Sequence, residues 1–237
     1  MRYERIIEAE HIKRDNRFIA TVMTADGPMR VHVKNTGRCR ELLVEGARVY
    51  LSLSDKEGRR TSADLVAVEK VCEDGRRLLI NMDSQLPNGM VYEWIGNSGL
   101  FSPSATVRRE VTHGDSRFDL YVEDGERRAF IEVKGVTLER DGVAMFPDAP
   151  TERGVKHLEG LIRAVGEGYE AYAVFVIQMK GVNKFTPNRM TDPRFADALA
   201  RAREAGVGII ALDSRVSIYG AEIDAPVRVE LGDNDEK

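Results

Sequence analysis

Two cysteines in 237 residues, Cys39 and Cys72, far apart and without a CxxC pair, leave neither a disulfide framework nor a cysteine zinc site to build a fold around. Both read as plain reduced thiols. Long apolar runs are also missing. The longest, Ala171 to Ile177, falls well short of the roughly 20 residues that cross a bilayer, and Met1-Arg2-Tyr3-Glu4 does not open a signal peptide. These absences predict a cytoplasmic protein with no membrane partner. The four histidines, His11, His32, His113 and His157, lack ligand spacing, and no HExxH is present, so a zinc hydrolase is not expected. There is no Gly-rich phosphate loop, no internal repeat, and no low-complexity stretch beyond the acidic tail Gly232 to Lys237. Nor is there an excess of positive charge. The net charge is -4, with 16 Lys/Arg against 14 Asp/Glu over residues 1–83 and 19 against 25 over the remainder. A polyanion would have to meet local basic patches against the overall field.

What is present is an ordinary globular composition, 42% hydrophobic and 31% charged, which predicts a chain folded throughout and long enough for two domains. The first 80 residues read as short strands separated by turns: Asn16 to Thr24, Met29 to Lys34, Ala47 to Ser54, Ser62 to Cys72 and Arg76 to Ile80. Five such strands fit an OB-like β-barrel. In the second of them Met29, Val31 and Val33 alternate with Arg30, His32 and Lys34. One face therefore points to a core and the other presents a basic row, which is either a solvated face or a phosphate groove with Arg14, Arg17, Arg38 and Arg40 nearby.

The pattern changes after Ile80, where Met90, Val91, Trp94 and Ile95 take helical spacing and predict a short packing helix, with Trp94 as core. The expected division is residues 1–83 and 84–237. Beyond it Val107 to Val111, Arg117 to Glu123, Arg127 to Lys134 and Val143 to Phe146 read as strands. Thr151 caps a helix carrying Val155, Leu158, Ile162 and Val165, and Ala171 to Gln178 reads as a strand covered on both faces. Asp192-Pro193 starts a second helix before a strand over Val207 to Leu212, which makes this part a mixed α/β layer structure.

Within it, Arg117, Asp119 and Tyr121 share one strand face, as do Phe130, Glu132 and Lys134 on the next strand. With Asp124-Gly125 at the hairpin centre, Asp119 opposes Phe130 and Glu132 is its diagonal neighbour on the same face. The flanking residues Phe118, Leu120, Ile131 and Val133 are apolar, a setting in which unpaired carboxylates cost several kcal/mol. A hard cation, Mg²⁺ or Mn²⁺, is the expected compensation, held by Asp119 and Glu132 with sites left for a phosphate, and the Lys134 ammonium would stabilise charge or orient water beside it. Glu-x-Lys also occurs as a surface ion pair. Asp119 at matching register and the apolar strands set this instance apart.

Here the sequence becomes specific. Ser116-Arg117-Phe118-Asp119, Glu132-Val133-Lys134-Gly135-Val136-Thr137-Leu138, Phe146-Pro147-Asp148-Ala149-Pro150-Thr151-Glu152-Arg153-Gly154 and His157-Leu158 resemble the sugar fermentation stimulation protein A family, SfsA. Lys34-Asn35-Thr36-Gly37, Leu86-Pro87-Asn88 and Phe175-Val176-Ile177-Gln178 add to the resemblance, which runs in order along nearly the whole chain. It implies an N-terminal OB-like barrel, a C-terminal domain of the PD-(D/E)xK nuclease fold, DNA binding, and a regulatory role in sugar metabolism. By position, Asp119 and Glu132 match the metal carboxylates of that nuclease pattern and Lys134 its catalytic lysine. The Pro usually written before the first Asp is Phe118 here.

Four further side chains are candidates for the same site. Glu110 could add a carboxylate, or be a solvated strand end; Gln178 could hold a water or phosphate, or be a strand-end amide. Arg153 and His157, one turn apart at the start of a helix, suit a scissile phosphate, while Asp148 and Glu152 beside them suit capping and ion pairing. For nucleic acid, most naturally DNA, the candidates are Arg17, Arg30, Lys34, Arg38 and Arg40. Two functions follow: a metal-dependent phosphodiesterase acting on nucleic acid, or a non-catalytic DNA-binding regulator of sugar metabolism genes on the same fold. A small-molecule enzyme of sugar metabolism has no motif behind it. Metal identity, strandedness and oligomeric state are not readable from the sequence.

Overall fold

The structure is a computed structural model that describes residues 2–35, 37–55 and 58–232. Thr36 and the acidic tail beyond Gly232 lie outside the described residues. Six strands form the N-terminal sheet: β1 (Ile6–Arg14), β2 (Ile19–Thr24), β3 (Gly27–Val33), β4 (Arg48–Leu53), β5 (Ala63–Val71) and β6 (Arg77–Asn81), in the order β3-β2-β1-β4-β5-β6. Parallel pairing of His32 with Asp64 and of Val33 with Leu65 joins β3 to β5, so β1 to β5 close as a barrel and β6 extends it. The hydrophobic pattern does not reveal β1. Only Ala9 and His11 of that strand are buried, and a small and a polar residue on the inner face hide the alternation that reveals other strands. The second strand starts at Ile19 rather than Asn16, because the Asn16 Oδ1 accepts the N–H groups of Phe18 and Ile19 and makes a turn.

β3 alternates as expected, with Val31 and Val33 buried and Arg30 exposed. Each basic side chain of that row, however, faces a carboxylate. Arg30 lies 3.8 Å from Asp15, His32 Nδ1 is 2.9 Å from Asp64, and Lys34 donates to the fully buried Asp83 at 2.5 Å.

A helix, α1 (Leu86–Ile95), leads into the second sheet. Its nine strands are β7 (Thr106–His113), β8 (Ser116–Asp124), β9 (Arg127–Val136), β10 (Leu138–Arg140), β11 (Val143–Phe146), β12 (Glu170–Ile177), β13 (Lys184–Pro187), β14 (Gly208–Ser217) and β15 (Gly220–Val229), in the order β10-β11-β13-β15-β14-β12-β9-β8-β7. Two helices complete the layer structure, α2 (Glu152–Gly166) and α3 (Pro193–Glu204), capped by the side chains of Thr151 and Asp192. α1 covers one face of the sheet with Leu86, Met90, Val91 and Ile95, while Leu158, Leu161, Phe195 and Leu199 of α2 and α3 cover the other. Trp94 packs half-buried against the α1 side. β12 runs parallel between β9 and β14, which explains its continuous apolar run. β15 was not legible: Asp224, Pro226 and Arg228 interrupt any hydrophobic period.

The β8–β9 hairpin corrects the expected register. Leu120 opposes Ile131 and Asp124 opposes Arg127, so the two-residue turn is Gly125-Glu126, with Gly125 at φ 64°. Two residues of shift bring Asp119 level with Glu132 instead of Phe130.

A buried polar knot joins the barrel to this sheet. Gln178, at the end of β12, donates from Nε2 to the Asn81 and Asp83 carbonyls and to Asn81 Oδ1 at 3.0–3.1 Å, and its backbone carbonyl accepts the Asn81 N–H. Gln178 thus spends its amide hydrogens on the junction between the two sheets.

Candidate functional site

The site begins with Glu132 in the middle of β9, flanked by β8 and β12 and 2% exposed. A carboxylate there needs donors, and two come from known places. Lys134, two residues on and therefore on the same strand face, donates to Oε1. His157, one turn inside α2, donates to the same oxygen from Nδ1. The Arg153 Nε–H points at His157 Nε2 from 3.4 Å, so Nε2 is the acceptor and Nδ1 carries the hydrogen. α2 comes this close because Gly160 faces β8: a Cβ there would stand 2.7 Å from Ser116 Oγ and 3.1 Å from the Phe118 ring. The helix start is fixed as well, since Asp192 Oδ2 accepts the Thr151 N–H at 2.8 Å. The second oxygen, Glu132 Oε2, is buried with no hydrogen-bond partner among the described residues.

Asp119 sits where β8 parts from β9. The ladder ends at Leu120 and Ile131, and the Asp119 Oδ2 takes the Val133 N–H at 2.8 Å in place of a backbone carbonyl. Strict alternation fails here. Phe118 and Tyr121 both pack at a tilt against Phe130 on the α2 side, with centroids 5.1 and 4.9 Å away, while Leu120 and Val122 belong to the α1 side. The expectation that Arg117, Asp119 and Tyr121 share one regular face is corrected accordingly. Oδ1 of Asp119 accepts from Asn88 Nδ2 at 2.8 Å, a residue at the start of α1. Asn88 is the positioning side chain that residue-type reasoning missed. The motif Leu86-Pro87-Asn88 was visible, but nothing in the sequence says which strand residue it reaches.

The two carboxylates respond in opposite ways. Burial, reinforced by the neighbouring Glu132 charge, raises Asp119 above the ordinary carboxylate value despite the donors Val133 and Asn88 and the Lys134 charge. Burial pushes Glu132 up too, but the His157 hydrogen bond and the Lys134 charge outweigh it and leave Glu132 below its ordinary value. The sign for Asp119 is therefore destabilising at neutral pH: its contribution is favourable below the unfolded value and is lost as pH rises through the raised folded one. Without divalent ions at pH 7, Asp119→Asn is expected to melt a few degrees higher than the wild type, since Asn88 can turn its own amide to accept. Scanning fluorimetry in chelator checks this, and the gain should shrink towards pH 4.

Other candidates fall in different places. Glu110 interrupts the β7–β8 pairing with φ 57° and pairs outward with Arg117 at 2.6 Å, both exposed, so its carboxylate is not gathered with the other two. Asp148 accepts the Arg38 N–H at 2.7 Å and links the barrel to the segment before α2. Among the described residues no group of three or more His, Cys, Asp or Glu side chains forms a ready ligand set, so a cation here would complete its shell with backbone carbonyls and water.

A cleft of about 760 Å³ opens between barrel and sheet. Its floor starts at Gly135, one residue past Lys134, and its barrel wall carries Arg14, Arg17, Arg38 and Arg40. Arg14 is committed to structure, donating to the carbonyls of Asn16, Arg17, Asn35, Gly37 and Arg38.

Known proteins fit this architecture. Family models described as the SfsA N-terminal OB domain and the sugar fermentation stimulation protein RE domain match residues 12–80 and 85–220. A sugar fermentation stimulation protein homolog of Desulfitobacterium hafniense is 52% identical over 98% of this chain and 99% of its own. One from Ruminiclostridium cellulolyticum is 50% identical over 98% and 100%. The solved structure of Pyrococcus furiosus SfsA in complex with Ca²⁺ superposes with a TM-score of 0.83 at 29% identity, covering 97% of this chain and 98% of that one. No helix among the described residues is long and apolar enough to cross a membrane. With barrel, mixed α/β sheet and near-full-length relatives in agreement, the chain belongs to the sugar fermentation stimulation protein (SfsA) family.

Proposed function

We propose that the chain is a divalent-metal-dependent phosphodiesterase acting on nucleic acid, with Asp119 and Glu132 as metal ligands and Lys134 as the catalytic cation. The observation that carries this reading is Glu132 Oε2: a buried carboxylate oxygen left without a donor, beside a second carboxylate whose proton affinity its charge raises. Two like charges gathered in an apolar sheet are costly unless a cation answers them. The donor set is all oxygen, which suits a hard ion, Mg²⁺ or Mn²⁺. The family's Pyrococcus furiosus member was solved with Ca²⁺, an ion of the same hard class.

A bound divalent ion would polarise a phosphoryl oxygen and lower the pKa of a water on it. The protein side of the chemistry belongs to the chain. Asn88 and the Val133 N–H hold Asp119, and His157, backed by Arg153, holds Glu132. Lys134 Nζ, one of the Glu132 donors, is partly exposed, and its charge can stabilise that on a phosphate oxygen.

Incubating the protein with single- and double-stranded DNA and RNA in Mg²⁺, Mn²⁺ or chelator tests the proposal. Metal-dependent cutting that disappears in Lys134→Ala is expected. Binding without cutting in every metal would replace it with the non-catalytic regulator.

A further inference from the structure

Resting on the nucleic-acid part of that reading but not on cleavage, we propose that the arginine-walled cleft takes one strand of nucleic acid, with Phe18, the chain neighbour of the cleft residue Arg17, as a base-stacking platform. The charge map narrows the choice. Along β3 Arg30, His32 and Lys34 each face a carboxylate, which lowers the positive potential a duplex would meet there. In the cleft four guanidiniums stand against one carboxylate, Asp148, whose Oδ2 is occupied by the Arg38 and Cys39 N–H groups. Arg38 and Arg40 are exposed and have no ion pair among the described residues. Their placement is prearranged: the guanidinium of Arg14 gathers the carbonyls of residues 16, 17, 35, 37 and 38, and Gly37 leaves room for Asp148, whose Oδ2 would stand 2.5 Å from a Cβ there.

Size argues the same way. A cleft of about 760 Å³ has the volume of a small-ligand site and so of a few nucleotide units, less than a duplex would need to enter it. An exposed aromatic then has a use. Phe18 follows Arg17 on the β1–β2 loop and is 50% exposed, held in place by its own N–H to Asn16 Oδ1 and by the Val33 N–H to its carbonyl. A cationic groove with an aromatic at its edge is how OB barrels hold single strands without reading sequence. A strand lying along the arginines reaches Gly135, next to Lys134 in the chain.

Fluorescence anisotropy in chelator, where nothing is cut, provides the test. The probes are a labelled single strand of about 12 nucleotides, as DNA and as RNA, and the matching duplexes. Single strand of either polymer should bind at least about tenfold tighter than its duplex, Phe18→Ala should weaken single-strand binding about tenfold, and the Arg38→Ala/Arg40→Ala pair should lower the salt slope by about 1.4. All three residues are exposed, so folding is preserved. Duplex bound as tightly as single strand, or a salt slope unchanged in the arginine pair, overturns the proposal. Cleavage without strand preference would remove this inference and keep the catalytic reading; strand preference without cleavage would keep this inference and remove the catalytic reading.

Discussion

Glu132→Gln is expected to abolish the rise in melting temperature that Mg²⁺ or Mn²⁺ gives the wild type, and to lower metal-dependent cleavage at least about 10²-fold. The substitution removes one negative charge and puts an amide nitrogen where one carboxylate oxygen was, without changing shape. Lys134 and His157 can still donate to the remaining oxygen, so the fold survives and the comparison is fair. In the wild type, an ion at about 100 times its Kd adds about 2.7 kcal/mol. For a chain of this size that amounts to roughly 5–10 °C. Fluorimetry with and without metal, on both proteins, reads the difference. A metal-induced shift of equal size in Glu132→Gln would mean that the ion binds elsewhere.

The second large effect concerns stability. Lys34 was a candidate for a phosphate contact, but it caps Asp83, which is fully buried and among the described residues otherwise receives only the Tyr3 hydroxyl at 3.4 Å and the Gln85 N–H. Lys34→Met leaves that carboxylate without its counter-charge, at a cost of about 3 kcal/mol, the lower end for a broken buried pair because the two neutral donors remain. Melting should fall by about 6–12 °C. Adding Asp83→Asn to Lys34→Met should restore most of the loss, the mark of a direct coupling. The salt dependence of nucleic-acid binding should stay as in the wild type. A stable Lys34→Met protein with a reduced salt slope would return Lys34 to the phosphate contacts.

How far these sites could be read from the sequence varied with how local their causes are. Thr151 and Asp192 are local, each capping its own helix within three residues, and both were visible. So was β12, whose apolar run reflects cover on two faces. β1 was hidden because the barrel interior asks only for Ala9 and His11 there, and β15 because Asp224 and Pro226 break its period. The pair Asp119 and Glu132 was found, but its register turned on whether Gly125 opened or closed the hairpin turn, a choice of one dihedral that Asp-Gly alone does not make. Partners from distant chain segments were beyond reach. Asn88 on Asp119, Asp83 on Lys34 and Asn81 on Gln178 are separated by 31, 49 and 97 residues, and no periodicity links them.

The most direct measurement locates the ion. In crystals equilibrated with Mn²⁺, anomalous difference density should show a peak within coordination distance of carboxylate oxygens of both Asp119 and Glu132, about 2.0–2.3 Å away. A well-ordered site with no peak between them at saturating Mn²⁺, or with the ion bound only elsewhere, would contradict the account.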